Sequence, residues 1–300
     1  MKSWKVRVPA TSANLGPGFD TLGLALAHYD EYQVEHAAAG IEIVVTGEGA
    51  SEVPVNADNL VLRALTSVFE SVGEQLPAIR MSCANQIPHG RGMGSSGAAV
   101  AGGVMLAAAM LSDRHQFSDR QLLDFATQLE GHPDNVAPAL FGGLTIAWKD
   151  SAGAHYKKLS AHRGVSPLVL VAPNQMSTKL ARSLQPESVP HEDAVFNLSR
   201  SALLVAALIQ SPELLLVATE DRLHQNYRSA AMPQSIELVQ LLRDQGYPAV
   251  ISGAGPSVLV LESEPSRRLA ARDLAASRYP DWEALLLAVD YKGASVSPAD

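Results

Sequence analysis

The sequence has a single cysteine, Cys83, among its 300 residues. One thiol cannot form an internal disulfide, so the cross-linked framework of small secreted domains is excluded. Long apolar runs are also missing, because the longest one, residues 97–111, is too short and too rich in glycine and alanine to span a bilayer. The N-terminal residues alternate like a strand and have no apolar signal core. Together these absences predict a soluble, cytoplasmic protein without a membrane partner.

Positive charge is scarce as well, since 23 lysines and arginines face 31 aspartates and glutamates, for a formal net charge of -8. Proteins that bind nucleic acids usually show a basic excess or a basic stripe, so we expect no nucleic-acid partner. No two of the nine histidines are four residues apart, which argues against a zinc site on a helix. The composition, 47% hydrophobic and 18% charged, is that of an ordinary globular protein.

Hydrophobic periodicity in the first half of the chain alternates between strand and helix patterns. It predicts helices at 58–72, 95–110 and 118–131, and strands at 4–9, 22–48, 79–84 and 142–160. The third helix has a capping-box pattern, Ser118 with Gln121, and a terminating glycine, Gly131. The second helix is unusual because most of its surface consists of small residues.

In the second half the periodicity predicts four strands, at 167–172, 249–252, 257–262 and 284–290. Helices are predicted at 192–219, at 235–246 with Ser235 as the N-cap, and from Pro265 onward. The order of these elements is that of a split βαβ unit. We therefore predict an α+β protein with two domains, at residues 1–160 and 161–300.

A glycine-rich segment at 88–97 is the strongest local signal. It consists of Pro88, His89, Gly90, Arg91, Gly92, Met93, Gly94, Ser95, Ser96 and Gly97. Glycines let the backbone approach a ligand closely, and the helix that follows begins with N–H groups that have no partner within the helix and attract anions. The segment therefore predicts a phosphate site, although a glycine-rich turn that only packs a helix on a sheet would look similar.

Two common phosphate motifs do not fit this segment. Gly92, Gly94 and Gly97 have the spacing of the dinucleotide fingerprint, but they lie far from the N-terminus and no strand ending in an acidic residue follows. A Walker A loop needs a lysine, and this segment has none. A different class of nucleotide-binding loop is indicated.

Several stretches, in the same order along the chain, resemble the motifs of the GHMP kinase family. Residues 88–97 resemble its Pro-x-x-x-Gly-Leu-Gly-Ser-Ser phosphate motif, with Met93 in the leucine place. Residues 8–20 and 252–257 are similar to its N-terminal and C-terminal motifs, and residues 130–138 are similar to members that act on L-homoserine. The resemblance covers nearly the whole chain. It implies an N-terminal ribosomal-protein-S5-like domain that binds nucleotide and a C-terminal ferredoxin-like split βαβ domain.

The resemblance implies an ATP- and Mg²⁺-dependent enzyme that phosphorylates the L-homoserine hydroxyl, a step in threonine biosynthesis. It makes Ser96 and Glu130 the Mg²⁺ ligands. Glu130 also ends a predicted helix, where the helix dipole disfavours a carboxylate unless a cation is near. A solvated glutamate at a frayed helix end is the alternative. Relatives in the family suggest a homodimer.

The resemblance also implies a pocket for an amino acid substrate and one for adenine. The substrate residues are Asn14, Asp20, His132, Asn135, Thr178, Arg182, Arg228 and Gly255. Asp20 would face the ammonium and both arginines the carboxylate, which suits the planar arginine fork. For either arginine alone, a surface salt bridge is the simpler expectation. Asn59 either lines the adenine pocket or caps the helix at 58–72.

Asn135 bears on the mechanism, since some GHMP kinases have an aspartate there that can act as a base. An asparagine cannot accept a proton at neutral pH, so we expect direct transfer in which Ser96, Glu130 and Asn135 act by positioning and charge. Thr11 occupies a place where some relatives keep a lysine. Asp134 and Asn135 are also good helix N-caps, which is compatible with a site role.

Two alternatives stay open at this point. The chain is either a GHMP kinase for another small alcohol or a catalytically silent protein that binds nucleotide as a sensor. Asn135, together with Asp20 and the two arginines, argues against a mevalonate-type substrate, which has no ammonium to pair with Asp20. The presence of Ser96 and Glu130 argues against the sensor, which does not need a metal site for turnover.

Overall fold

The computed structural model describes residues 2–298. Its first part contains six strands: β1 (Ser3–Ala13), β2 (Leu22–His36), β3 (Ile41–Gly47), β4 (Ile79–Asn85), β5 (Leu144–Asp150) and β6 (Gly153–Leu159). Four helices lie between them: α1 (Leu60–Ser71), α2 (Ser95–Leu111), α3 (Asp119–Glu130) and α4 (Pro133–Phe141). All the predicted elements of this half are present, with boundaries shifted by a few residues, and α4 is an addition.

The second part contains the strands β7 (Ser166–Val171), β8 (Ala249–Ile251), β9 (Val258–Glu262), β10 (Glu283–Leu286) and β11 (Ser295–Pro298). Its helices are α5 (Thr178–Ser183), α6 (His191–Ile209), α7 (Leu215–Ala218), α8 (Pro233–Asp244) and α9 (Pro265–Arg278). Short 3₁₀ helices occupy Pro212–Leu214 and Asn226–Ala231. Neither α5 nor β11 was predicted from the sequence.

The strands of residues 2–298 form two sheets. The first runs in the order β11-β1-β2-β4-β3, and β5 extends it by pairing with β2 and β6. The second runs in the order β10-β7-β9-β8 with antiparallel pairs, which is the spatial order of a ferredoxin-like split βαβ unit. The predicted α+β class is therefore confirmed. The division at residue 160 stays a prediction, and β11 pairs with β1 in the first sheet.

The small residues of α2 let it lie unusually close to its neighbours. A Cβ added at Gly103 would lie 2.3 Å from the Val61 carbonyl oxygen of α1, and one at Gly102 would lie 2.3 Å from the Tyr32 ring of β2. Larger side chains at these two positions would push α2 away from both elements. The helix that begins at the glycine-rich segment is thus held between α1 and the sheet.

A buried carboxylate anchors the chain just before the glycine-rich segment. Asp30 on β2 is fully buried and accepts hydrogen bonds from the backbone N–H groups of Gln86 (2.7 Å) and Ile87 (2.8 Å). The Tyr32 hydroxyl donates a third, at 2.9 Å. These bonds satisfy donors that would otherwise be unpaired in the interior, so they determine where the segment leaves the sheet.

The predicted ends of α3 are confirmed, whereas the predicted start of α8 is wrong. The Ser118–Gln121 capping box is present and Gly131 ends α3 in the left-handed conformation, with φ 94°. The N-cap assignment of Ser235 was wrong, because α8 already begins at Pro233. Ser235 is buried and its hydroxyl donates to the Pro256 carbonyl at 2.6 Å, which ties α8 to the turn before β9.

Among residues 2–298, no helix combines the length and the apolar character needed to cross a membrane.

Candidate active site

The glycine-rich segment forms a loop that ends at the N-terminus of α2. Gly90, Gly92 and Gly94 all have left-handed backbone angles, with φ between 62° and 73°. A Cβ at Gly94 would lie 2.0 Å from the Thr11 hydroxyl, and one at Gly92 would lie 2.1 Å from the Ser252 carbonyl oxygen. Glycine is therefore required at these positions both by conformation and by space. Gly94 provides no side-chain cap, so the first N–H groups of α2 are free to bind an anion.

The loop is bonded to the two other stretches that carried the family resemblance. The Thr11 N–H donates to the Met93 carbonyl at 3.0 Å. The Ser252 hydroxyl lies 2.6 Å from the Gly92 carbonyl oxygen, to which it donates, and 2.9 Å from the Ser12 hydroxyl. Segments about 80 and 160 residues apart in sequence thus meet at one place, as a shared site requires.

Ser96 and Glu130 are in contact at the edge of this loop. The Ser96 hydroxyl donates to Glu130 Oε2 at 2.8 Å, which joins the start of α2 to the end of α3. Burial raises the pKa of Glu130 above its ordinary value, and the Ser96 hydrogen bond opposes that shift. Glu130 is partly buried and bonded, so the frayed, solvated alternative does not describe it.

The chemistry of this pair fits a divalent cation. A hydroxyl and a carboxylate oxygen are hard donors of the kind that Mg²⁺ prefers. They lie beside the free N–H groups of α2, where a phosphate would also bind, and Mg²⁺ is usually held by one or two protein oxygens together with phosphates. The residues present therefore fit the predicted Mg²⁺ site.

Asp20 and Arg182 form a bidentate ion pair. Arg182 Nη2 donates to Asp20 Oδ1 at 2.8 Å and Nη1 donates to Oδ2 at 3.1 Å. Arg182 and Thr178 lie four residues apart on α5, so both side chains reach the same side of that helix, which begins after the N-cap Ser177. The two groups predicted to contact opposite ends of a substrate therefore contact each other.

Arg228 is the second predicted carboxylate ligand, and it is buried, with 2% of the residue exposed. Its guanidinium lies 3.5 Å from the Gly253 carbonyl oxygen and 5.2 Å from the centre of the Phe19 ring. Burial lowers the pKa of Arg228 below its usual range. A surface salt bridge, the simpler expectation for an arginine, would need a carboxylate within 4.0 Å of the guanidinium. Residues 2–298 place none at that distance. A buried guanidinium of this kind favours an anionic ligand.

Asn14 holds the loop that carries Asp20. Its side-chain oxygen accepts from the Asp20 N–H at 2.9 Å, and its amide nitrogen donates to the Gly253 carbonyl at 2.8 Å. Both Asn14 (φ 69°) and Asp20 (φ 54°) are left-handed, a conformation that asparagine and aspartate tolerate better than most residues. Because both ends of the Asn14 amide are engaged, its main role in this geometry is to position Asp20.

His132, Asp134 and Asp20 lie together, each with a ligating atom within 4.8 Å of the others. Although burial lowers the pKa of His132, its hydrogen bond and charge interaction with Asp134 outweigh that effect and raise it overall. Asp134 was not among the predicted site residues and was considered only as a helix cap. Its carboxylate is 2% exposed. Its position next to Asn135, a predicted site residue, is the feature of the sequence that could have identified it.

Two adjoining cavities meet at Gly90, Ser95 and Ser96. The first, of about 150 Å³, is called the polar cavity here because charged and polar residues make up most of its lining. It contains most of the predicted residues: Asn14, Asp20, Gly90, Gly92, Gly94, Ser95, Ser96, Glu130, His132, Asn135, Thr178, Arg182, Arg228 and Gly255. It is also lined by Asp134, Met176, Ser177, Gly253 and Ala254, which sequence reasoning did not single out as ligands. The second, of about 250 Å³, is mainly apolar and includes Asn59 and His89.

Asn59 caps α1, and it also lines the second cavity. Its side-chain oxygen caps α1 by accepting from the N–H groups of Val61 (3.0 Å) and Leu62 (3.3 Å), while the residue lines the apolar cavity. Other residues of the glycine-rich segment do not line either cavity: Met93 is in the core, and Arg91 donates to the Pro173 carbonyl at 3.3 Å. They shape the loop instead of facing its interior.

Comparison with known proteins agrees with this geometry. The family described as GHMP kinases N terminal domain matches residues 59–143. The chain is 62% identical to homoserine kinase from Clavibacter michiganensis subsp. michiganensis over 298 residues, which cover 99% of this chain and 94% of that protein. The chain belongs to the homoserine kinase family. Homoserine kinase from Streptomyces coelicolor is 48% identical to this chain, over a match that covers 98% of this chain and 94% of that protein.

Solved structures of the homoserine kinase family have the same fold. The crystal structure of homoserine kinase from Cytophaga hutchinsonii is similar to this chain with a TM-score of 0.88 and 26% identity, over 99% of this chain and 98% of that one. The predicted resemblance and the predicted GHMP kinase architecture are therefore confirmed. In the structure of this chain, the Thr11 hydroxyl donates to Asn135 Oδ1 at 2.9 Å.

Proposed function

We propose that the protein transfers the γ-phosphoryl group of ATP to the side-chain hydroxyl of L-homoserine, a step toward threonine. The observation that carries this proposal is the position of Asp20, Arg182 and Arg228 in one polar cavity with the free N–H groups at the start of α2. A phosphate and a zwitterionic amino acid would then bind a short distance apart, as direct transfer between them requires.

The nucleotide would occupy both cavities. Its base fits the apolar cavity, and its phosphates fit the loop N–H groups between Gly90 and Gly97. Ser96 and Glu130 are the residues that we propose to hold Mg²⁺. When bound there, the cation would neutralise part of the negative charge of the phosphates.

The amino acid would be held through its two charged ends. Its carboxylate would bind the forks of Arg182 and Arg228, and its ammonium would lie against Asp20. The side-chain hydroxyl would then be left to point toward the phosphate loop. Mevalonate has a carboxylate but no ammonium, so it does not complement Asp20.

In the reaction, a bond forms between the homoserine hydroxyl oxygen and the γ-phosphorus while the bond from that phosphorus to the β–γ bridging oxygen breaks, which releases ADP. The hydroxyl proton leaves to a phosphoryl oxygen or to water. Asn135 cannot take it, because an amide is not a base at neutral pH and its Oδ1 already accepts from Thr11. Positioning and charge stabilisation would then supply the acceleration.

Replacing Asn135 tests whether this residue contributes to the reaction only by positioning. We expect Asn135→Ala to lower kcat by about tenfold or less, since loss of a true general base lowers it by roughly a hundredfold to ten-thousandfold. Steady-state kinetics over a range of pH is the measurement, with unfolding temperature as the control for folding. A loss of about a thousandfold would show that Asn135 contributes far more to the rate than its expected positioning role.

A coupled ADP-release assay with Mg-ATP tests the function itself. The panel consists of L-homoserine, L-threonine, L-serine and mevalonate, and we expect strong turnover on L-homoserine alone. Turnover only on another alcohol would favour a different GHMP kinase activity. No ADP release with any of them, together with measurable ATP binding, would favour the silent sensor.

Two further proposals concern the setting of the enzyme. We propose that it acts in the cytoplasm, as its composition suggested, and that it forms a homodimer, as the family resemblance implied. Light scattering at several protein concentrations checks the second point, and a mass near 31.8 kDa at all of them would contradict it.

A further inference from the structure

The loop that joins β1 to β2, residues 14–21, carries Asp20 in an unusual backbone conformation. Asn14, Leu15 and Asp20 are all left-handed, with φ between 50° and 69°. Residues other than glycine seldom adopt this conformation, and for a branched side chain such as leucine it is unfavourable. Such positions persist only where the surrounding structure holds them. The conformation of the loop therefore depends on contacts with the rest of the chain.

Two side chains from the second part of the chain hold this loop by its carbonyl groups. His224 Nε2 lies 2.7 Å from the Gly16 carbonyl oxygen, and Asn197 Nδ2 donates to the Pro17 carbonyl at 2.9 Å. A carbonyl oxygen only accepts, so Nε2 carries the proton and is the donor. His224 and Asn197 are 0% and 2% exposed. Loss of either bond would leave a carbonyl group unpaired in the interior, which is unfavourable.

His224 and Asn197 come from different elements that are bonded to each other. Asn197 lies on α6, and its Oδ1 accepts from the Arg222 N–H at 3.0 Å, two residues before His224. The His224 ring stacks on Phe19 of the loop, with ring centres 4.9 Å apart and an angle of 21° between the planes. The centre of the Phe19 ring is in turn 5.2 Å from the Arg228 guanidinium. One set of contacts therefore connects α6 and the segment before Arg228 with the loop.

We propose that Asn197 and His224 are positioning residues, which fix residues 14–21 and thereby place the Asp20 carboxylate in the polar cavity. Neither side chain lines that cavity or the apolar one, so each acts through the loop and not through the ligand. The inference rests on the proposed function and deepens it, since it makes the amino acid pocket depend on a contact between the two parts of the chain. A displacement of about 1 Å in a group that holds a substrate can cost about a hundredfold in rate.

Two substitutions of His224 separate the hydrogen bond from the ring. His224→Phe keeps a ring that can stack on Phe19, but it cannot donate to the Gly16 carbonyl. His224→Gln loses the ring, and its amide can donate from the place of Nε2. We expect His224→Phe to raise the KM for L-homoserine about tenfold and the KM for ATP less than about threefold. We expect His224→Gln to raise the KM for L-homoserine by less than about threefold.

Asn197→Asp is the corresponding change on α6. An ionised aspartate keeps the shape and an oxygen that accepts from the Arg222 N–H, but it has no N–H group for the Pro17 carbonyl. The KM for L-homoserine should again rise about tenfold, with a change of less than about threefold in the KM for ATP.

Arg268→Met is the matched control for the loss of bonds from a side chain to backbone carbonyl groups. Arg268 donates to the carbonyl groups of Pro167 and Leu287 and lines neither cavity. This change should lower the unfolding temperature and alter neither KM. A substitution that only weakens the fold would behave in the same way.

Hydrogen exchange gives a second readout that does not depend on the reaction. Several backbone N–H groups of residues 18–22 are bonded within the loop, and mass spectrometry of the ligand-free protein follows their exchange. We expect exchange about tenfold faster in His224→Phe and Asn197→Asp, because the loop opens more often once a carbonyl bond is lost. Exchange should be unchanged in His224→Gln and Arg268→Met.

Unchanged exchange in both His224→Phe and Asn197→Asp, or an unchanged KM for L-homoserine in both, would overturn the inference. Equal increases in the KM values for L-homoserine and ATP would overturn it as well, because they indicate a general loss of structure. If the unmodified protein releases no ADP with L-homoserine, the proposed function fails, but the exchange rates still test how the loop is held. The two failures are therefore distinguishable.

Discussion

Glu130→Gln should reduce turnover by roughly a hundredfold at limiting Mg²⁺ while the protein stays folded. Glu130 ends α3, is partly buried and accepts a 2.8 Å hydrogen bond from Ser96. Glutamine keeps the shape and a carbonyl that can still accept from Ser96, but it removes the negative charge that would attract a cation. A lower turnover of the variant would therefore result from the missing negative charge and not from altered packing.

The dependence on Mg²⁺ concentration is the informative measurement. We expect the variant to need more Mg²⁺ for half-maximal kcat, with an unchanged unfolding temperature. Glu42→Gln serves as the control, because Glu42 is an exposed residue on β3 bonded to Arg80. If Glu130→Gln has the activity and the Mg²⁺ dependence of the unmodified enzyme, Glu130 is not a ligand.

Arg228→Ala should raise the KM for L-homoserine by about a hundredfold and change the KM for ATP by less than about threefold. Truncating one partner of a buried charged contact typically costs about 2–5 kcal/mol, and a hundredfold is about 2.7 kcal/mol. Arg228 lines the polar cavity but not the apolar one, so the effect should be confined to the amino acid.

Arg228→Lys is a second variant, because Arg228 is buried and alanine would leave a void that can itself destabilise the fold. Lysine keeps the charge and loses the planar fork, so an intermediate increase in KM, about tenfold, is expected. Arg278→Ala, on the surface, is the control for loss of an arginine. Equal increases in both KM values would contradict the role of Arg228 as a carboxylate ligand.

Signals that are local in sequence predicted structure well. The capping box at Ser118, the left-handed Gly131 and the start of α2 directly after the glycine-rich segment each depend on residues a few positions apart, which a single sequence displays. The split βαβ order was also readable, because it follows from the succession of periodic segments.

Assignments whose partners are distant were less secure. Ser235 has the residue type of an N-cap, but its hydroxyl bonds to Pro256, 21 residues away, in another element. The helix starts instead with Pro233, which is favourable at a first helical position. The short strand β11 was missed because four residues carry little periodic signal and depend on pairing with β1, almost 300 residues earlier.

The sequence by itself determined the family and the glycine-rich loop before α2, because these depend on residue type and order. Only the tertiary structure decided which of those residues are in contact. Ser96 meets Glu130 and Asp20 meets Arg182 across 34 and 162 residues. Arg228 becomes buried with no carboxylate of residues 2–298 within 4.0 Å of its guanidinium. Such pairings depend on how the packed sheets and helices bring distant loops together, which residue spacing does not encode.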